Sequence, residues 1–244
     1  TIYQTLSKKV VYFPSFSNFT TKRIQYFGPN NTIIADTLFD NTGNWIKRYI
    51  QFQNGNIKTQ QTLDSSNAII HTNTFEYDDT GRLIKTTGDY NTIFTYNANN
   101  TITASSSITN DYLFNFSINS SGLINYRINL NDNTTISLNF QNQNAIEYLN
   151  DGNVTGTFTY YSNPMPTNLL KNITEMNNTI LSGYRLEHLP SNCNAYLKNW
   201  LWMYRYEREF DDLNYQTHVR DIYINTNTTP NTESITSETF FIYN

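Results

Sequence analysis

Apolar and polar residues alternate along much of the chain with a period of two. Tyr112, Phe114, Phe116 and Ile118 fall on one side of an extended segment, with Leu113, Asn115 and Ser117 on the other. Ile124, Tyr126, Ile128 and Leu130 then alternate with Asn125, Arg127 and Asn129, and Ile136, Leu138 and Phe140 with Ser137 and Asn139. Three such segments in a row predict strands of one sheet with one apolar and one wet face.

Turn signals punctuate the alternation. In Phe75-Glu76-Tyr77-Asp78-Asp79-Thr80-Gly81-Arg82-Leu83-Ile84-Lys85-Thr86 an aromatic ends one strand and Asp opens a tight turn. Gly then takes a positive φ, and an apolar residue starts the return. Leu38 to Lys47 and Phe116 to Ile124 repeat the unit, and residues 52–58, 96–102 and 149–154 carry eroded versions. Strand, turn and strand in series predict a hairpin meander. The period changes once: Leu169, Leu170, Ile173 and Met176 have helix-like spacing after Pro166, with Thr167 as a candidate cap. Long strands are then expected from Asn199 to Phe210, Asn214 to Asn225 and Ser234 to Tyr243, with turns at Asp211-Asp212 and Thr228 to Asn231. The expected fold is therefore all-β: a single domain over 1–244, built as one curved antiparallel meander, open as a half-barrel or porin-like. Residues 1–163 make the hairpins, 164–197 a crossover with a short helix near 167–180, and 198–244 the long closing strands.

Composition supports folded β structure. Apolar residues are 38% and charged residues 15%, and Asn and Thr fill the gap with 38 and 34 copies. Disorder would need few aromatics and a high net charge, whereas this chain has 19 Tyr, 15 Phe and a net charge of −4. That balance gives no reason to expect nucleic acid. The pairs Lys8-Lys9 and Lys22-Arg23 read as solvated. Cys193, the sole cysteine, forms no internal disulfide and has no obvious activating base beside it. His71, His188 and His218 lack metal-ligand spacing, so no metal or cofactor is expected. Glu207, Glu209, Asp211 and Asp212 form the densest acidic cluster, which reads as a solvated hairpin end partnered by Arg205 and Arg208 rather than a glycosidase pair. No catalytic residues are assigned, and the chain is not expected to be an enzyme.

The candidate contact site is Trp200-Leu201-Trp202-Met203-Tyr204-Arg205-Tyr206. On one strand Trp200, Trp202, Tyr204 and Tyr206 would share a face. Exposed, they would form a platform for sugar rings or a partner; buried, they would thicken the core. No apolar run approaches the roughly 18–20 residues of a membrane helix. The chain opens Thr1-Ile2-Tyr3-Gln4 without Met, and reads as a fragment whose targeting segment has been removed.

Tyr77-Asp78-Asp79-Thr80-Gly81-Arg82-Leu83, with Thr86 and Thr95-Tyr96-Asn97, resembles the YD repeat of Rhs and teneurin-type proteins. In layout the chain is more similar to a family of Bacteroidetes surface lipoproteins of unknown function with a porin-like fold. That likeness rests on Leu189-Pro190-Ser191 ahead of Tyr206 to Asp212 and the closing Phe240-Phe241-Ile242-Tyr243. It implies export, a lipidated Cys upstream and an outer-membrane, cell-surface address in a Gram-negative bacterium, with membrane contact only through that anchor. Asp36-Thr37-Leu38 resembles the O-glycosylation site of exported Bacteroidetes proteins, which implies Thr37 as an acceptor. Strands of five to seven residues are short for the roughly 9–11 residues of a membrane-spanning strand, so a non-spanning sheet is expected. The expected function is a non-catalytic binding or assembly component of an outer-membrane protein complex. The alternative is a surface-glycan-binding module of a polysaccharide-uptake system.

Overall fold

Five turns of this chain are chemically the same turn. In each, an Asx side chain accepts the backbone N–H groups two and four residues on, and its own N–H donates to the carbonyl four residues on. The leading residues are Asp40, Asp64, Asp78, Asn119 and Asp211. Three residues on, the chain enters the left-handed region: Gly43, Asn67, Gly81, Gly122 and Asn214 have φ of 88°, 63°, 81°, 82° and 63°. This is the three-residue hairpin loop, in which the last loop residue must be left-handed. The sequence pattern marks three of them. The turn at Asp64 escapes a search for Gly because Asn67 stands in its place, and the turn expected at Asp211-Asp212 has Asn214 there.

The computed structural model describes residues 6–13, 22–28, 33–40, 42–53, 56–89, 91–109, 111–142, 144–164, 173–183, 195–200, 204–225 and 232–243. Among them eighteen strands belong to one antiparallel sheet, with one helix. The fold class expected from the sequence is the one found. Cys193, His188, Trp202, Leu189-Pro190-Ser191, the Thr228 to Asn231 turn and the 167–172 part of the expected helix lie outside the described residues.

The chain divides into two compact units. Unit 1 comprises Thr1–Thr72, Tyr160–Leu169 and Lys198–Asn244, and unit 2 Asn73–Thr159 and Leu170–Leu197. In unit 1, β1 (Leu6–Tyr12), β2 (Lys22–Phe27), β3 (Ile33–Phe39), β4 (Trp45–Gln53) and β5 (Asn56–Leu63) pair in order. β16 (Tyr204–Phe210), β17 (Gln216–Asn225) and β18 (Thr232–Tyr243) do the same, and β18 pairs with β1. The first and last strands thus cover each other's edges.

β6 (Ile69–Tyr77) enters unit 2, followed by β7 (Leu83–Thr87), β8 (Thr92–Asn97), β9 (Thr101–Ser106) and β10 (Tyr112–Ile118). After them come β11 (Ile124–Asn129), β12 (Thr135–Gln141), β13 (Asn144–Asn150) and β14 (Asn153–Pro164), and each of these nine strands pairs with the next. Phe94, Ile102, Phe116, Leu138 and Phe158 form the buried face. Helix α1 (Ile173–Gly183) contributes Met176, Ile180 and Leu181 to the core. Its apolar spacing continues past Met176, and the helix ends at Gly183 where one near 167–180 was expected.

Two of the repeat turns explain how α1 is held. After Gly81 and Gly122 the returning strand carries one extra residue, Ile84 or Asn125, opposite its partner. Such a bulge interrupts the ladder and leaves backbone groups to be satisfied elsewhere. Asn178 of α1 accepts the Leu83 N–H at 2.9 Å and donates to the Gly81 carbonyl at 2.9 Å. Asn177 does the same at the second turn, with the Ile124 N–H at 2.9 Å and the Gly122 carbonyl at 2.8 Å. Two adjacent amides on one helix thus pair with equivalent positions of two repeats.

The Asn125 bulge also corrects the reading of the alternation in β11. Ile124 lies across from Ile118, but beyond the bulge Arg127 lies across from Phe116 and Ile136. Tyr126 and Ile128 therefore sit on the opposite face, across from Ser117 and Asn115. Arg127 rests its guanidinium 5.3 Å from the Phe114 ring centre.

Candidate functional site

The expected strand from Asn199 to Phe210 is a hairpin instead. β15 (Ala195–Trp200) turns back into β16, with Trp200 across from Tyr204 and Asn199 across from Arg205. Trp200 and Tyr204 therefore lie opposite each other on neighbouring strands and do not follow one another along one. Tyr204 and Tyr206 do, with ring centres 6.4 Å apart and planes 28° apart, and both are half-buried. Burial pushes the Tyr206 hydroxyl up to about 12. Tyr206 lies across from Asp221, and Arg208 stacks 5.4 Å from its ring centre. Thr37 stands mid-strand in β3 between Ile24 and Lys47, 8% exposed.

Tyr204, Tyr206 and Arg208 belong to a charged face of the unit 1 sheet. Phe241, Lys9, Gln25, Asp36, Arg48 and Thr62 occupy one register row across β18, β1, β2, β3, β4 and β5. Asp36 is buried and takes both Arg23, with Nε at 3.0 Å from Oδ1, and Arg48. Along the same face Ser237 donates to Asp221 at 2.5 Å, and Arg208 donates to the buried Gln216. Burial lowers the Lys9 amine to about 8; Arg23 and Arg208 push it the same way, while Asp221 and Asp36 oppose them. Lys9 is half-buried, and its ammonium lies 5.4 Å from the Phe241 ring centre.

The two basic pairs read as solvated are thus split by the pleat. Lys9 and Arg23 belong to the charged face, and Lys8 and Lys22 to the other. The signal was available: adjacent residues on a strand point to opposite sides, so a doublet of cations in a two-faced sheet must send one inward. In the sequence Asp36 stands out only as part of a modification motif, and its two arginines, 13 and 12 residues away, are brought to it by pairing alone.

The opposite face of unit 1 carries Ile242, Lys8, Tyr26, Ala35 and Tyr49 in one row and Phe240, Val10, Ile24, Thr37 and Lys47 in the next. Tyr26 is 40%, Tyr49 41% and Ile242 46% exposed, and Tyr12 and Phe240 are similarly open. Lysines lean over the rings: Lys47 lies 4.5 Å from the Tyr49 centre, Lys22 5.5 Å from Tyr12 and Lys8 5.8 Å from Tyr26. Beside this patch Arg205 binds Glu207 at 2.5 Å and Glu233 at 2.7 Å, and Arg220 binds Glu238 at 2.9 Å. Glu209 lies 3.3 Å from His218, which stacks on Phe240 with centres 4.6 Å apart. Arg205 is thus the partner expected for the acidic cluster, whereas Arg208 points to the charged face.

No protein-family model matches the chain. No curated protein matches it either. Among solved structures it is similar to a porin-like protein from Bacteroides uniformis, at 13% identity and a TM-score of 0.50, with 100% of each chain covered. That likeness extends to the fold: an antiparallel, many-stranded β architecture of the porin-like kind.

Proposed function

We propose that the chain is a non-catalytic surface component of a Gram-negative cell that joins an outer-membrane assembly by docking the tyrosine face of unit 1 against a protein. One observation carries the reading: aromatic side chains are left open to solvent on one face of this part of the sheet. Lys9, Arg23, Asp36, Arg48, Arg208 and Asp221 lie on the other face, while Tyr12, Tyr26, Tyr49, Phe240 and Ile242 stand exposed beside Lys8, Lys22 and Lys47. An antiparallel sheet with one wet face ordinarily hides its apolar side chains and solvates the polar ones. An exposed apolar patch marks an interaction surface, and protein interfaces are enriched in aromatic residues. The porin-like fold of the Bacteroides uniformis protein supports the outer-membrane address.

A protein partner fits better than a glycan because the rings are not coplanar: Tyr12 and Phe240 meet at 75°. β1 is flanked on both sides, so a partner meets this face rather than adding a strand to it. Between Tyr26 and Tyr49 the row holds only Ala35, which leaves a notch about 9–10 Å wide across two strand spacings. The test is photo-crosslinking in the native host from a crosslinking amino acid at position 49. The expected product joins the chain to an outer-membrane barrel protein and is lost when Tyr26→Ser and Ile242→Ser are combined. A chain recovered as an uncrosslinked monomer that binds a glycan column would instead support the polysaccharide-uptake alternative.

A further inference from the structure

We propose that the charged face of unit 1 binds a doubly negative oxyanion of the phosphate type, held by Lys9, Arg23 and Arg48. Among the described residues of β1 to β4, this face carries those three cations against one carboxylate, Asp36, an excess of two positive charges. Both Arg23 and Arg48 spend their carboxylate contacts on one residue, Asp36. A carboxylate shared by two guanidiniums neutralises only one of them. Arg48 Nε is also buried and has no hydrogen-bond partner. A buried N–H without an acceptor costs free energy until one arrives.

Lys9 supplies the second indication. Its ammonium makes no ion pair among the described residues and faces a phenyl ring, while two arginines act on it from the same side of the sheet. An anion placed among these groups would relieve all three strains together: the unpaired Nε, the surplus charge and the disfavoured ammonium. Access exists, because Arg23 and Arg48 keep 33% and 32% of their side-chain surface open to solvent. Planar guanidinium forks with one point-charge ammonium are the donor set that suits phosphoryl oxygens. The site lies on the face opposite the docking patch, so either can exist without the other.

The test is calorimetric titration of the whole chain with inorganic phosphate and, separately, with glucose 1-phosphate. Sodium chloride and sodium acetate at matched ionic strength serve as controls. Saturable binding of either phosphate, absent with chloride and acetate, is the expected result. Tighter binding of the ester would identify a phosphoryl group carried on a larger molecule, and equal or weaker binding would identify the free ion. Lys9→Met should weaken binding at least tenfold, and Arg48→Met, which keeps Lys9, should do likewise. Saturation with phosphate should also raise the Lys9 titration midpoint, read from a carbon-13 label on its dimethylated amine. Equal responses to phosphate and chloride, or folded variants that titrate like the parent, would overturn the proposal. If neither variant folds, an unmoved Lys9 midpoint in the parent protein would do so.

Discussion

Asp78 is asked to do three things by its turn: accept two backbone N–H groups, accept the Thr80 hydroxyl and hold Arg82 at 2.6 Å. Partial burial works against its ionisation, but these donors outweigh it and hold the carboxyl at about 2, below the ordinary 3.8. A carboxyl whose pKa falls on folding stabilises the protein above its unfolded value, and that contribution is lost as the pH drops through the folded one. Asn119 makes the same backbone bonds without a charge. Asp78→Asn should therefore fold, and its acid-unfolding curve should be flatter than the parent's between pH 4 and 2; superimposable curves would refute the assignment. Gly122 tests the other half of the turn. Its φ is +82°, and a Cβ there would meet Ile173 at an ordinary 3.5 Å, so space is available but the backbone is wrong for most residues. Gly122→Ala should cost about 1–2 kcal/mol from left-handed strain. Gly122→Asn should cost less, since Asn67 and Asn214 already occupy the equivalent position, each at φ 63°. Chemical denaturation of both variants measures the difference.

At the scale of elements, α1 is a short helix whose attachment has two parts, an apolar stripe and a pair of amides. Met176, Ile180 and Leu181 supply burial, which is directionless. Asn177 and Asn178 supply register, because each amide fits one carbonyl and one N–H of a bulged turn. Removing either leaves two partly buried backbone groups unpaired, so Asn177→Ala and Asn178→Ala should each cost about 1–3 kcal/mol. The loss should be local as well. Hydrogen exchange should accelerate at Ile124 in the first variant and at Leu83 in the second, and uniform acceleration would argue against the pairing described. Nothing in the helix-like spacing of 169–176 foretold these amides. The pattern located a helix; the bulges that give Asn177 and Asn178 their partners come from strand pairing.

At the scale of the whole molecule, the first and last described strands meet. Lys8 to Tyr12 of β1 pair with Glu238 to Ile242 of β18. An uncovered strand edge is a template for association with another chain. Deleting residues 232–244 should therefore uncover both β1 and β17 and produce soluble oligomers or aggregate, visible by light scattering at concentrations where the full chain is monodisperse. A monodisperse deletion product would show that these edges are protected in some other way.

Local chemistry determined a good deal of this protein unaided. Period-two alternation, Asx-led turns and left-handed Gly positions specify antiparallel hairpins because each depends on residues within a few positions of one another. The strands, most of the turns and a helix after Pro166 were legible for that reason. Pairing between distant segments decided the rest. It folded Asn199 to Phe210 into a hairpin, with Trp200 across from Tyr204. Through one extra residue at Asn125 it exchanged the faces of Tyr126 and Arg127. It also gathered Lys9, Arg23, Asp36, Arg48, Arg208 and Asp221 onto one surface from six strands. Register is a property of two strands together, and a shift of one residue turns every side chain to the other side; which charges meet is therefore settled only when the sheet is assembled.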